Sequence, residues 1–302
     1  MKKLKVLAIS IILILLLSLL GQSFAVSARP LTATAPGLGQ LTSFTVLGAL
    51  TVTNIGSTVL NGDLGISPGD ASSVTGFFPS GVYTGTLHAA DAVALQAQDD
   101  STTAYNTLSQ PCDSNLTGQD LGGLTLTPGT YCFDSSAELT GALTLDAQGD
   151  PLAVWIFRMG STLTTASASS VTYINSPQPI CNVFWQVGSS ATLGTTTEFI
   201  GNILALESIT LDTGANLFGR AVARTGAVTL DANIVNIPVC AVVSTEDEED
   251  DDRPAVSGLP NTGGAPIQNQ AFPWGLLVIA GVSVGALALG VQTYRRTHSP
   301  KQ

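Results

Sequence analysis

Three aspartates, Asp146, Asp212 and Asp231, recur at one register of a repeating pattern, and the last two fall where neighbouring turns of that pattern stack. Two carboxylates held side by side supply the acid and base of sugar-cleaving sites. Aspartates at chain corners accept backbone N–H bonds, which accounts for the same placement without catalysis. Gly65-Ile66-Ser67-Pro68-Gly69 has the spacing of a nucleophile elbow, yet Pro68 and the want of a following helix contradict the strand–turn–helix that such a serine requires. His88 is the base to consider, since His298 stands in the C-terminal tail, and His88 is placed to cap a helix. Asn115-Leu116-Thr117 matches a glycosylation sequon, a match that chance supplies. No catalytic constellation assembles, so the chain reads as a non-enzyme with no cofactor and no metal.

Four cysteines, Cys112, Cys132, Cys181 and Cys240, are an even number with no C-x-x-C spacing and no nearby histidine. Disulfides are therefore expected rather than zinc, and Cys112 with Cys132 plus Cys181 with Cys240 is the pairing expected among three.

The elements that would position these groups follow from a repeat. The pair Thr-Leu falls at Thr125, Thr144, Thr162, Thr192, Thr210 and Thr229, in steps of 18 or 19 residues apart from one gap of 30. A period near 20 points to a solenoid. Eighteen residues are too few for two packed helices but supply three strands of about six, one per side of a triangular coil. Thr, Val, Ile and Phe dominate the copies, Gly or Asn marks corners, and apolar residues alternate at period 2. Coils then stack at about 4.8 Å, so that side chains of one register form ladders. Between about 87 and 110 the spacing turns helical, with Ala90, Val93, Ala94, Ala97, Ala104, Tyr105 and Leu108 on one side, until Pro111 stops it. The small alanines suit a helix lying close along the solenoid. The fold class expected is mainly β, a triangular β-solenoid with one long α-helix packed alongside, over residues 29–243.

Both termini read as targeting segments. Lys2, Lys3 and Lys5, an apolar run from Val6 to Leu20 and small residues to Ala28 make residues 1–28 a secretory signal peptide. Seven consecutive acids, Glu246 to Asp252, mark 244–258 as a solvated spacer. Leu259, Pro260, Asn261, Thr262 and Gly263 follow, then in 264–302 an apolar stretch over 271–291, long enough to cross a bilayer, and the basic residues Arg295, Arg296 and Lys301. This triplet resembles the LPxTG cell-wall sorting signal of Gram-positive surface proteins. The resemblance implies a sortase that cuts between Thr262 and Gly263 and joins Thr262 to peptidoglycan, a transient membrane contact, and a location outside the cell on the wall. Residues 29–262 hold all 22 acids against five arginines, a net charge of −17. Such a surface does not suit nucleic acid or anionic lipid and does suit a neutral ligand or ordered water.

Three stretches carry a further resemblance: LTSFTVLGALTVTNIGSTVLNGDLGISPG, GGLTLTPGTYCF from Gly122, and CNVFWQVGSSATLG from Cys181. Together they are similar to the bacterial, algal and fungal ice-binding proteins. That likeness implies the same solenoid with a helix alongside, and adsorption to an ice crystal surface through a flat face patterned T-A/G-x-T/N. Threonine offers a methyl for close approach and a hydroxyl for water. By register the pattern falls on Thr165 and Ser167, on Thr195 and Thr197, and on Thr213, Ala215 and Asn216, with Glu198 beside the middle copy. The alternative is a surface adhesin or wall module on the same fold.

Overall fold

The computed structural model describes residues 33–239. Every strand pairing in this region is parallel, and the strands lie on three sides of a coil. The expected signal peptide, acidic spacer, Leu259–Gly263 motif and apolar stretch lie outside the described residues. Among the described residues no helix is long and apolar enough to cross a membrane.

The helix-side face holds nine strands in spatial order: Ser114–Asn115, Gly129–Phe133, Trp155–Met159, Val183–Val187, the second halves of Glu198–Ala205 and Asn216–Ala223, then Phe44–Gly48, Asp63–Ile66 and Leu87–Ala89. The N-terminal strands thus extend the stack beyond its last C-terminal coil. From Leu87–Ala89 the chain must return to the other end, and helix α1, Ala92–Thr107, makes that return. Gln98 donates to Gly48 O and Ala223 O, and Tyr105 to Val187 O two coils on. Seven residues of helix advance about 10.5 Å. Two strand spacings advance about 9.6 Å.

The rise of a helix thus nearly matches the pitch of the stack. Ala97, Ser101, Ala104 and Leu108 are buried along α1, and the first, third and fourth pack with Phe44, Leu47, Val222, Leu204, Phe184 and Ile156 of the sheet. These strands are buried on both sides, hence their largely apolar runs, FTVLG and VFWQV, with Thr45 and Gln186 as the polar positions. The helix is shorter than the 87–110 expected, because Leu87–Ala89 forms the last strand and Asp91 caps α1 by accepting from Ala94 N at 2.8 Å. That bond holds the Asp91 carboxyl below its usual range, as does its contact with His88.

Inside the coil, residues at one register stack. Tyr131, Phe157 and Trp185 occupy one position of three successive coils, with ring centroids 5.6 and 4.0 Å apart, and Phe199 lies 4.7 Å beyond Trp185. Arg220 is buried with no acid partner among the described residues and donates to Leu41 O, Thr42 O and Asn202 Oδ1. Burial pushes its pKa down to about 10. Cys112–Cys132 is a disulfide that ties the exit of α1 to the first long strand. Cys181 is also disulfide-bonded, while Cys240 of the expected pair lies outside the described residues.

The repeat is real, but its six Thr-Leu markers are not equivalent. Thr192, Thr210 and Thr229 share one register. Thr164, not Thr162, is the residue opposite Thr192. Thr125 and Thr144 lie on a different face altogether. A Thr-Leu pair marks any outward–inward step of a strand, so the same dipeptide serves two faces. The gap of 30 arises where the chain leaves strand Ser170–Ile174 and crosses an irregular stretch before Val183.

Candidate functional site

Strands Ala137–Leu139, Leu163–Thr165, Ala191–Leu193, Ile209–Leu211, Val228–Asp231, Val52–Ile55 and Val74–Thr75 form the seven-stranded face. Their burial alternates, with the first and third residues inside and the second outside. The outward residues in register are Glu138, Thr164, Thr192, Thr210, Thr229, Thr53 and Thr75. Six threonines thus stand in a line at about the 4.8 Å strand spacing. β-Branching leaves each threonine few rotamers on a packed strand, so the methyls and hydroxyls are held in a regular array. Thr53 donates to Thr229 at 3.4 Å.

Of the residues singled out by the T-A/G-x-T/N pattern, Thr165 is the last, inward residue of strand Leu163–Thr165 and the others lie past the ends of these strands, on the way to the third face. Thr165 and Thr197 are buried and bond to each other at 2.9 Å, and Ala215 is fully buried. They point into the coil because the chain turns there and the strand alternation continues inward. Ser167, Thr195 and Thr213 are exposed on that corner, and Asn216 is half-buried. Asn216 donates to Glu198 at 2.8 Å, so both belong to the third face. That face is uneven: Ile200 and Phe218 stand half-buried beside Glu198, and Tyr173, Ile174 and Ile234 are exposed.

Of the residues weighed for catalysis, Asp212 and Asp231 fall in neighbouring coils, each following one of the paired residues Leu211 and Leu230. Asp146 lies on a third-face strand opposite Ile174, away from Asp212 and Asp231, so the three do not share a register. Asp231 accepts from the Thr213 hydroxyl, as a corner aspartate does. Asp146 accepts from Asn175 and Gln148 N, which lowers its pKa. Ser67 is buried, and His88 bonds the capping Asp91 at 2.8 Å rather than capping the helix itself. Asn115 accepts from Thr117 N and Oγ1 and donates to Asp134. A cleft of about 420 Å³ beside α1 is lined by Tyr105, Arg158, Gln186 and one carboxylate, Asp134, which lacks the second carboxylate that sugar cleavage needs. Among the described residues no group of His, Cys, Asp and Glu is arranged to hold a metal ion.

Comparison with known proteins agrees with this geometry. The model of the ice-binding-like family matches residues 46–236, from the first inward valine of the stack to its last C-terminal strand. The chain belongs to the ice-binding-like family. Family relatives include an ice-binding protein of Nostoc sp. (strain HG1), 56% identical over 216 residues that span 71% of this chain and 78% of that one. An ice-binding protein of Flavobacterium frigoris (strain PS1) is 34% identical over 215 residues, spanning 67% and 76% of the two chains. Among solved family structures, an ice-binding protein from an Antarctic biological consortium superposes with a TM-score of 0.66 at 44% identity, over 71% of this chain and 96% of that one. One from the Antarctic ascomycete Antarctomyces psychrotrophicus gives 0.63 at 41%, over 68% and 100%.

Proposed function

We propose that this protein adsorbs to ice through the seven-stranded face and is displayed on a Gram-positive cell wall. The observation that carries the first part is the row of six outward threonines in consecutive strand register. A solid lattice is recognised by repetition, and a β-stack repeats each side chain at nearly constant spacing. The inward residues beneath the row are packed apolar groups, so the array stays rigid while water orders over it. Of the pattern-selected residues, Ser167, Thr195 and Thr213 border this face, and the row replaces Thr165, Thr197 and Ala215 as its centre. The helix covers one side of the coil and the third face is uneven, which leaves this face as the flat one.

Adsorption of the full chain to an ice shell, with thermal hysteresis, tests the reading beside Thr210→Tyr. Loss of adsorption in the variant with an unchanged circular dichroism spectrum is expected. Adsorption equal to that of the unsubstituted chain overturns the face, and no adsorption by the unsubstituted chain overturns the ice reading. The wall reading rests on the Leu259–Gly263 motif followed by the apolar stretch and basic end. Muramidase digestion should release fragments that end at Thr262 joined to peptidoglycan, and Thr262→Ala should abolish them. On the wall, such a protein would hold the cell to ice or limit crystal growth at the envelope.

A further inference from the structure

Exposed apolar side chains gather at one end of the threonine row. Ile55 is 66% exposed on strand Val52–Ile55, where it stands opposite Asp231 in the outward row next to the threonines. Thr53 pairs with Thr75, which brings the segment after Gly76 alongside Ile55. There Phe77 is buried and Phe78 is 77% exposed. Phe78 is braced: its ring lies 6.1 Å from Tyr83 and that of Phe77 5.9 Å from Tyr83, both edge-on. Buried Asn54 donates to Gly56 O at 3.0 Å and Gly76 O at 2.9 Å, which pins the two turns that follow Ile55 and precede Phe78. At its other end the row finishes on Glu138.

Scattered exposed apolar residues need no explanation, but Ile55 stands in register beside the threonines and Phe78 follows the next strand of the same face, braced on Tyr83. We propose that Ile55 and Phe78 extend the threonine face as an apolar contact for the same ice surface, so that adsorption is strongest at this end of the row. The inference rests on the ice reading above. Apolar groups beside the threonine methyls order water without competing for its hydrogen bonds, whereas the charge of Glu138 at the other end holds liquid-like hydration; Asp231, opposite Ile55, is engaged by the Thr213 hydroxyl.

The test compares full-length Ile55→Ser/Phe78→Ser with the unsubstituted chain, with Thr210→Tyr and with Leu95→Ser, which removes an exposed leucine from α1. Ice-shell adsorption, thermal hysteresis and sedimentation are measured, and melting temperature checks the fold. The double variant is expected to lose about two- to fivefold in adsorbed fraction, with Leu95→Ser unchanged. Undiminished adsorption in the double variant, with Thr210→Tyr inactive, overturns this inference and leaves the ice reading standing. Undiminished adsorption in Thr210→Tyr overturns the face itself. Should the double variant instead convert a dimer to a monomer at unchanged adsorption, the patch joins copies of this chain and the inference fails. Should the double variant melt early, Ile55→Thr, which keeps a β-branched strand residue, decides the matter on the same readouts.

Discussion

At the residue scale, a threonine's two substituents separate cleanly. Thr210→Val keeps the shape and methyl but removes the hydroxyl, and is expected to weaken ice adsorption less than Thr210→Tyr, which lifts the surface away from ice; thermal hysteresis ranks the two. Asp91 acts on stability instead. Removing its cap in Asp91→Ala costs about 1 kcal/mol, read by urea unfolding. Its carboxyl is held below the ordinary 3.8 in the folded state, chiefly by the bond from Ala94 N. A folded pKa below the unfolded value means that this stabilisation is present above about pH 4 and is lost as pH falls through the folded value. Asp91→Ala should therefore show a shallower loss of stability below pH 4 than the parent.

At the element scale, α1 is set by the size of its buried residues. Ala97 and Ala104 let the helix axis approach a sheet whose outward surface carries Phe44, Phe184 and Leu204. Ala97→Leu forces the helix away and should cost about 1–3 kcal/mol, visible in the melting temperature. The disulfide closes a loop of 20 residues at the exit of α1. Its removal in Cys112→Ser/Cys132→Ser should cost about 3 kcal/mol, with ice adsorption unchanged, because the threonine face lies across the coil from α1.

At the scale of the whole molecule, a stack contacts only its neighbours, so stability grades from the ends inward. Amide hydrogen exchange should be slowest in Val183–Val187, Glu198–Ala205 and Asn216–Ala223, which have strands on both sides, and fastest in Ser114–Asn115 and Leu87–Ala89 at the two ends. Equal protection throughout would mean that the stack opens as one unit.

The solenoid, its helix and the alternation within strands were legible from the residues, because period, strand length and alanine spacing are local properties of the chain. Six threonine-bearing coils could be counted in the same way. Which threonines face outward together could not. Thr164 and Thr165 are neighbours of one type, and one reaches solvent while the other bonds Thr197 in the core. A shift of one residue reverses the side on which a strand residue lies, and that register is set by pairing with strands far away in sequence. Thr53 and Thr75 join the row only because the N-terminal coils stack on the last C-terminal coil, about 175 residues downstream. Sequence period determined the kind of ladder, and tertiary pairing decided which residues are its rungs.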